Sequence, residues 1–242
     1  MIGQIFHALY QFLLNLLVLF YDYLPGHDFG IAVISLTLFV KLITIPLTNK
    51  ATKSQKAFNE LQPKIKEIQE KYRDDKTEQA KQTMELYQKE KINPLAGFVP
   101  LLIQLPVLIA LYQVFINGLK PESMSLLYSF IANPGVINPS FLGIVDLSKA
   151  STVLAIISGL GQYYQAQMLK AKQPKPGKQQ SSKGTGEMFS NIMQKEMQFL
   201  LPVLTFFILL KVPSAVALYW AVSIIFSIVQ QSLMSRGVKA NA

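Results

Sequence analysis

Lys41 carries the least expected chemistry in this chain. It lies inside Gly30 to Thr48, a run that is otherwise uncharged and long enough to cross a bilayer. A cation at that depth costs ~2.5–3.5 kcal/mol on insertion scales, so it rarely persists without a use. Thr37, Lys41, Thr44 and Thr48 are spaced by four, three and four, which puts them on one face of a helix. One reading is a snorkelling lysine, since only about 10 Å of helix rise separates it from the charged residues that follow. The other is a cation set in a wet groove, where it would attract acidic groups. A polar stripe on both sides of the lysine favours the groove.

Three further residues could hydrate such a groove. Gln104 sits mid-way along a second apolar stretch, and Ser223 and Ser227 share a stripe with Trp220 and Gln230 in the last one. The competing reading makes them ordinary hydrogen bonders between helices. Signals for bond-making chemistry are lacking. There is no cysteine, so thiol catalysis, disulfides and cysteine metal sites are excluded. The two histidines, His7 and His27, form no zinc-binding run, no Gly-x-Ser-x-Gly occurs, and Gly184-Thr-Gly186 matches no phosphate-binding loop. The chain reads as a non-enzyme without cofactor or metal.

The elements that must position these residues follow from composition. Half of the 242 residues are hydrophobic, yet the net charge is +9. Both hold when charge is confined to loops between membrane spans. The predicted fold is all-α and polytopic, with five transmembrane helices. Residues 1–28 form an outer interfacial helix, because Gln4, His7, Gln11 and Asn15 recur as a polar side; a sixth span over 2–24 is the alternative. Spans follow at 29–48, 93–118, 148–169, 196–211 and 215–234. An irregular or short-helical outer loop covers 119–147, a basic disordered loop 170–195 and a tail 235–242.

Between the first two spans, residues 50–91 carry eleven Lys/Arg and eight Asp/Glu. Phe58, Leu61, Ile65, Ile68 and Tyr72 repeat at three and four, and Ala80, Met84 and Tyr87 give a second seam, so a helical hairpin is predicted. Pro63 marks a kink or a new start, and Asp75 with Glu78 reads as a helix N-cap. Basic residues concentrate in 50–91, 170–196 and the tail, which the positive-inside rule makes cytoplasmic. The N-terminus is then outside and the C-terminus inside. The basic excess reports topology and lipid contact, with no direct nucleic-acid readout.

Several short strings, in order, resemble the YidC/Oxa/Alb membrane-protein insertases from Phe29 to Gly237. They are the basic residue five before Pro46-Leu47, Leu61-Gln-Pro-Lys-Ile65, Leu86-Tyr-Gln-Lys-Glu90, Asn93-Pro94-Leu95, Pro100-Leu-Leu-Ile-Gln-Leu-Pro106, Pro213-Ser214, Leu218-Tyr219, Gln230-Gln231 and Arg236-Gly237. The resemblance implies a five-helix core around a hydrophilic groove, closed to the outside, in a bacterial cell membrane. It implies nascent membrane proteins and the bilayer as partners, with the Sec translocon, ribosome and signal recognition particle as further candidates. The family's groove residue is usually arginine, whereas this chain has Lys41, which can lose its proton where an arginine cannot. A solute transporter or channel subunit binding an anion at Lys41 is the alternative, although no internal repeat supports it.

Overall fold

The computed structural model describes residues 2–93, 99–170 and 200–240. Helices dominate: α1 Ile2–Tyr23, α2 Phe29–Glu60, α3 Gln62–Lys71, α4 Lys76–Lys89, α5 Val99–Asn117, α6 Thr152–Lys170, α7 Leu200–Leu209 and α8 Ser214–Ala240. A 3-10 turn at Pro121–Leu126 and a hairpin of β1 Ser140–Phe141 with β2 Val145–Asp146 lie between α5 and α6. Among the described residues two helices are long and apolar enough to cross a membrane, the one that starts at Phe29 and Ser214–Met234. The chain forms two compact units.

The first unit takes in residues 1–44, 104–165 and 201–242. Its core is built from helical stripes at three-four spacing: Leu13, Leu14, Leu17 and Val18 of α1, Phe29, Ala32, Val33 and Leu36 of α2, and Ala110, Leu111 and Val114 of α5. Ala217, Leu218 and Tyr219 of α8 close it. The opposite faces of α6 and α7 leave Val153, Leu160, Val203 and Phe207 exposed. In water such faces would be costly; in hydrocarbon they are the expected surface.

α1 departs from the expected interfacial helix. Four of its aliphatic side chains are at most 2% exposed, and Gln11 and Asn15 of its polar side meet the outer segment. Asn15 donates to the Leu126 carbonyl at 3.0 Å and accepts from Tyr128 N–H at 2.6 Å, so one side-chain amide satisfies two backbone groups where the 3-10 turn ends. Gln11 also donates to Leu126 O, and Tyr21 OH accepts from Asn138 N–H. The polar residues were legible in sequence, but Gln11 and Asn15 meet protein, while Gln4 and His7 stay exposed.

The outer segment holds a short helical turn and, beyond the expected loop, a β-hairpin. Asp146 ends the β-hairpin and accepts from the hydroxyl and N–H of Ser148 and from Lys149, which holds its carboxyl down at about 2. That turn and the Ser151 hydroxyl, which accepts from Leu154 N–H, delay α6 to Thr152 where the sequence predicted 148. α8 outruns its predicted end at 234.

The second unit takes in 45–103 and 166–200. α2 runs without a break through the predicted boundary near 49, because no glycine or proline occurs between Pro46 and Pro63 to stop it. It ends before Leu61, where Pro63 starts α3 within its first turn. α3 and α4 pack together in opposite chain directions: Gln79 donates to the Gln69 carbonyl, and Lys64 meets Glu90 at 2.6 Å. Phe58 stacks on Tyr87 at 6.0 Å, and Leu61 and Ile65 are buried, while Ile68 and Tyr72 are partly so. Asp75 caps α4 by accepting from Thr77 and Glu78 N–H groups. Met84 is a correction. It is 51% exposed and Ala80 is also exposed, whereas Gln79 is buried. The inner side of α4 is rotated by one position, because the Gln79 amide can bond a free carbonyl on α3 that Met84 could not satisfy.

Candidate functional site

α2, α5 and α8 each bring one polar side chain to a chain of contacts in the first unit. Lys41 sits on the α2 stripe, three turns into the helix, and is partly buried. Its ammonium donates to Gln104 Oε1 at 3.4 Å. The Gln104 amide in turn donates to the Tyr219 hydroxyl on α8. Tyr219 is 1% exposed, and Ser223 is buried beside it on the next turn. One amide thus bridges three helices, using its oxygen on the cation and its nitrogen on the phenol.

The electrostatics are one-sided. No Asp or Glu occurs in the apolar stretches around Lys41, Gln104 or Tyr219. Among the described residues, no carboxylate forms an ion pair with Lys41. A cation whose partner is a neutral amide keeps most of its attraction for an incoming anion. No cluster of metal ligands occurs among the described residues. The arrangement offers a positive charge and hydrogen-bonding groups to an incoming anionic segment.

The remaining predicted residues divide. Thr44 is partly exposed and donates to the carbonyls of Val40 and Lys41; Thr48, next on the stripe, donates to Ile45. Ser227 is partly exposed, with its hydroxyl on the Ser223 carbonyl. Thr37 is a correction to the solvated stripe. It is 1% exposed and its hydroxyl is spent on the Val33 carbonyl at 2.6 Å, so it packs inside the helix cluster and offers nothing to water. The stripe is therefore buried at its start and open from Lys41 onward.

Sequence reasoning missed two members, Tyr219 and Gln162. Tyr219 was visible only as half of Leu218-Tyr219, with nothing to say that its hydroxyl meets Gln104. Gln162 was not singled out, yet the Trp220 indole N–H donates to its Oε1 at 3.2 Å and ties α8 to α6. Ser158 reinforces that contact by donating to the Ala217 carbonyl.

Comparison with known proteins places this geometry in context. The family model described as 60Kd inner membrane protein matches residues 19–241. A protein of Fusobacterium nucleatum named membrane protein insertase YidC is 33% identical over 97% of this chain and 99% of its own length. A protein of the same name from Geobacter metallireducens is 34% identical over 94% of this chain, but this chain spans only 37% of it. A crystal structure titled as an active YidC insertase with its first transmembrane domain resolved superposes with a TM-score of 0.55 at 26% identity. The match covers 96% of this chain and 45% of that one.

Proposed function

The chain belongs to the 60Kd inner membrane protein family, a family of bacterial membrane protein insertases rather than enzymes, and from that footing we propose that it inserts client proteins into the membrane through a cationic groove. Lys41 supplies the charge, and Thr44, Gln104, Ser223 and Ser227 the polarity around it. A polar client segment enters the groove from the cytoplasm, drawn by Lys41 when it carries acidic residues. Hydrated depth shortens the low-dielectric distance that the segment must cross. Its apolar neighbour then moves sideways into lipid, driven by burial of apolar surface. No nucleotide is consumed.

The reading rests above all on Lys41: a cation on a membrane-length helix, bonded to a neutral amide, with no carboxylate partner among the described residues. Five spans, an outer N-terminus and a cytoplasmic C-terminus complete it, with 50–91 as a cytoplasmic element that receives clients and their targeting factors. Family membership disfavours the alternative of a solute transporter binding an anion at Lys41.

The test is insertion of small clients by the reconstituted protein. Lys41→Arg should retain activity, and Lys41→Glu should impair clients with acidic translocated tails far more than clients with neutral ones. Equal activity of Lys41→Glu on both client classes would overturn the role of the charge. Anion flux through the same vesicles, blocked by Lys41→Ala, would favour the transporter instead.

A further inference from the structure

The β1–β2 hairpin has a turn that suits water poorly. Ile144 N–H donates to the Phe141 carbonyl at 3.0 Å, closing a four-residue turn with Leu142 and Gly143 at its centre. Their φ values are +53° and +70°. Positive φ at both central positions is the geometry that Asn-Gly and Asp-Gly adopt most readily, and a leucine there is strained. The leucine is not held by packing, since Leu142 is 59% exposed and Ile144 beside it 83% exposed. A soluble loop would gain from a polar residue at the first position and from none of this apolar surface.

The hairpin is also pinned at a defined level. Leu142 N–H donates to Asp28 Oδ2 at 2.5 Å, while the other oxygen of Asp28 accepts from Ile31 N–H in the first turn of α2. Phe141 lies against Gly30 so closely that a Cβ there would collide with its ring. The turn is thus fixed beside the first residues of α2, a helix of membrane-spanning length. Between Lys120 and Lys149 the segment has no Lys or Arg, and Asp146 lies at the far end of the hairpin, paired with Lys149. Exposed apolar side chains, little charge and attachment to the end of a membrane helix are continuous with a lipid-facing surface.

We propose that the Leu142–Ile144 turn is a membrane anchor, seated in the headgroup and upper acyl region of the leaflet in which α2 begins. Because Asp28 and Gly30 lock the turn to α2, the anchor sets the depth of that helix. Lys41, thirteen residues beyond Asp28, is then held about 20 Å along the helix axis from the anchored surface. The inference rests on α2 being a span.

Its test uses the absence of native cysteine. Leu142→Cys, Ile144→Cys, the exposed Glu122→Cys and the exposed α6 variant Leu160→Cys would each carry a polarity-sensitive fluorophore, in the full chain reconstituted into phosphatidylcholine–phosphatidylglycerol vesicles. Labels at 142 and 144 should emit to the blue of the label at 122 and be quenched by lipid spin-labelled near the headgroup. The label at 122 should be quenched by aqueous iodide. Lipid quenching at 160 with iodide quenching at 142 and 144 would overturn the anchor while leaving the spans intact. Absence of lipid quenching at 160 would overturn the span reading, and the anchor with it.

Discussion

Gln104 is the residue on which the site turns, because it bonds both the cation and Tyr219 of α8. Replacing it with leucine keeps its bulk but removes both bonds. Interhelical hydrogen bonds in membranes average about 0.6 kcal/mol, with a maximum near 1.7, so Gln104→Leu should destabilise only modestly. Reversible unfolding in mixed micelles would measure that loss, and a loss several times larger would mean that the amide does more than bridge. Thr37 and Thr44 allow a second comparison. They were equivalent on the helical stripe, but one is sealed at 1% exposure and the other is partly open. Thr44→Cys and Gln104→Cys should react with water-soluble thiol reagents, while Thr37→Cys and the fully buried Leu36→Cys should not. Equal labelling at 37 and 44 would remove the boundary between packed core and wet groove.

At the scale of elements, α1 and the outer segment hold each other. Asn15, 2% exposed, satisfies a carbonyl and an N–H two residues apart. Asn15→Leu would leave both backbone groups without that partner, at a cost of about 1–3 kcal/mol for each one that stays buried. Lower thermal stability and faster hydrogen exchange at Tyr128 are the expected readouts; unchanged exchange there would show that water replaces the amide. The paired α3 and α4 are a weaker assembly. Lys64 and Glu90 attract across them, and the Lys64 ammonium pulls the Glu90 carboxyl below its usual range, but both groups face solvent. A pair so exposed contributes little. Stacking of Phe58 on Tyr87 and burial of Leu61 and Ile65 must do most of the holding.

At the scale of the whole molecule, the division into a helical core and a charged unit makes one strong prediction. Deleting residues 54–90 and bridging the gap with a flexible linker should leave the core inserted, since its buried stripes lie in α1, α2 up to Leu36, α5 and α8. Client insertion should fall in the same protein. Full activity after the deletion would confine the mechanism to the groove, and loss of membrane integration would show that the charged unit is needed to fold. Sequence alone determined the helical class, the new start at Pro63, the Asp75 cap of α4, the isolation of Lys41 in apolar surroundings and the charged character of 50–91. Those properties are local or periodic: a proline, a cap or a three-four repeat acts within a few residues. Tertiary structure decided what faces what. It turned Gln11 and Asn15 of α1 to protein, spent the Thr37 hydroxyl on its own helix, moved the inner side of α4 from Met84 to Gln79 and joined Gln104 to Tyr219. Each of those outcomes depends on which neighbour arrives from more than ten residues away or on which donor reaches a free carbonyl first, and periodicity carries no record of either.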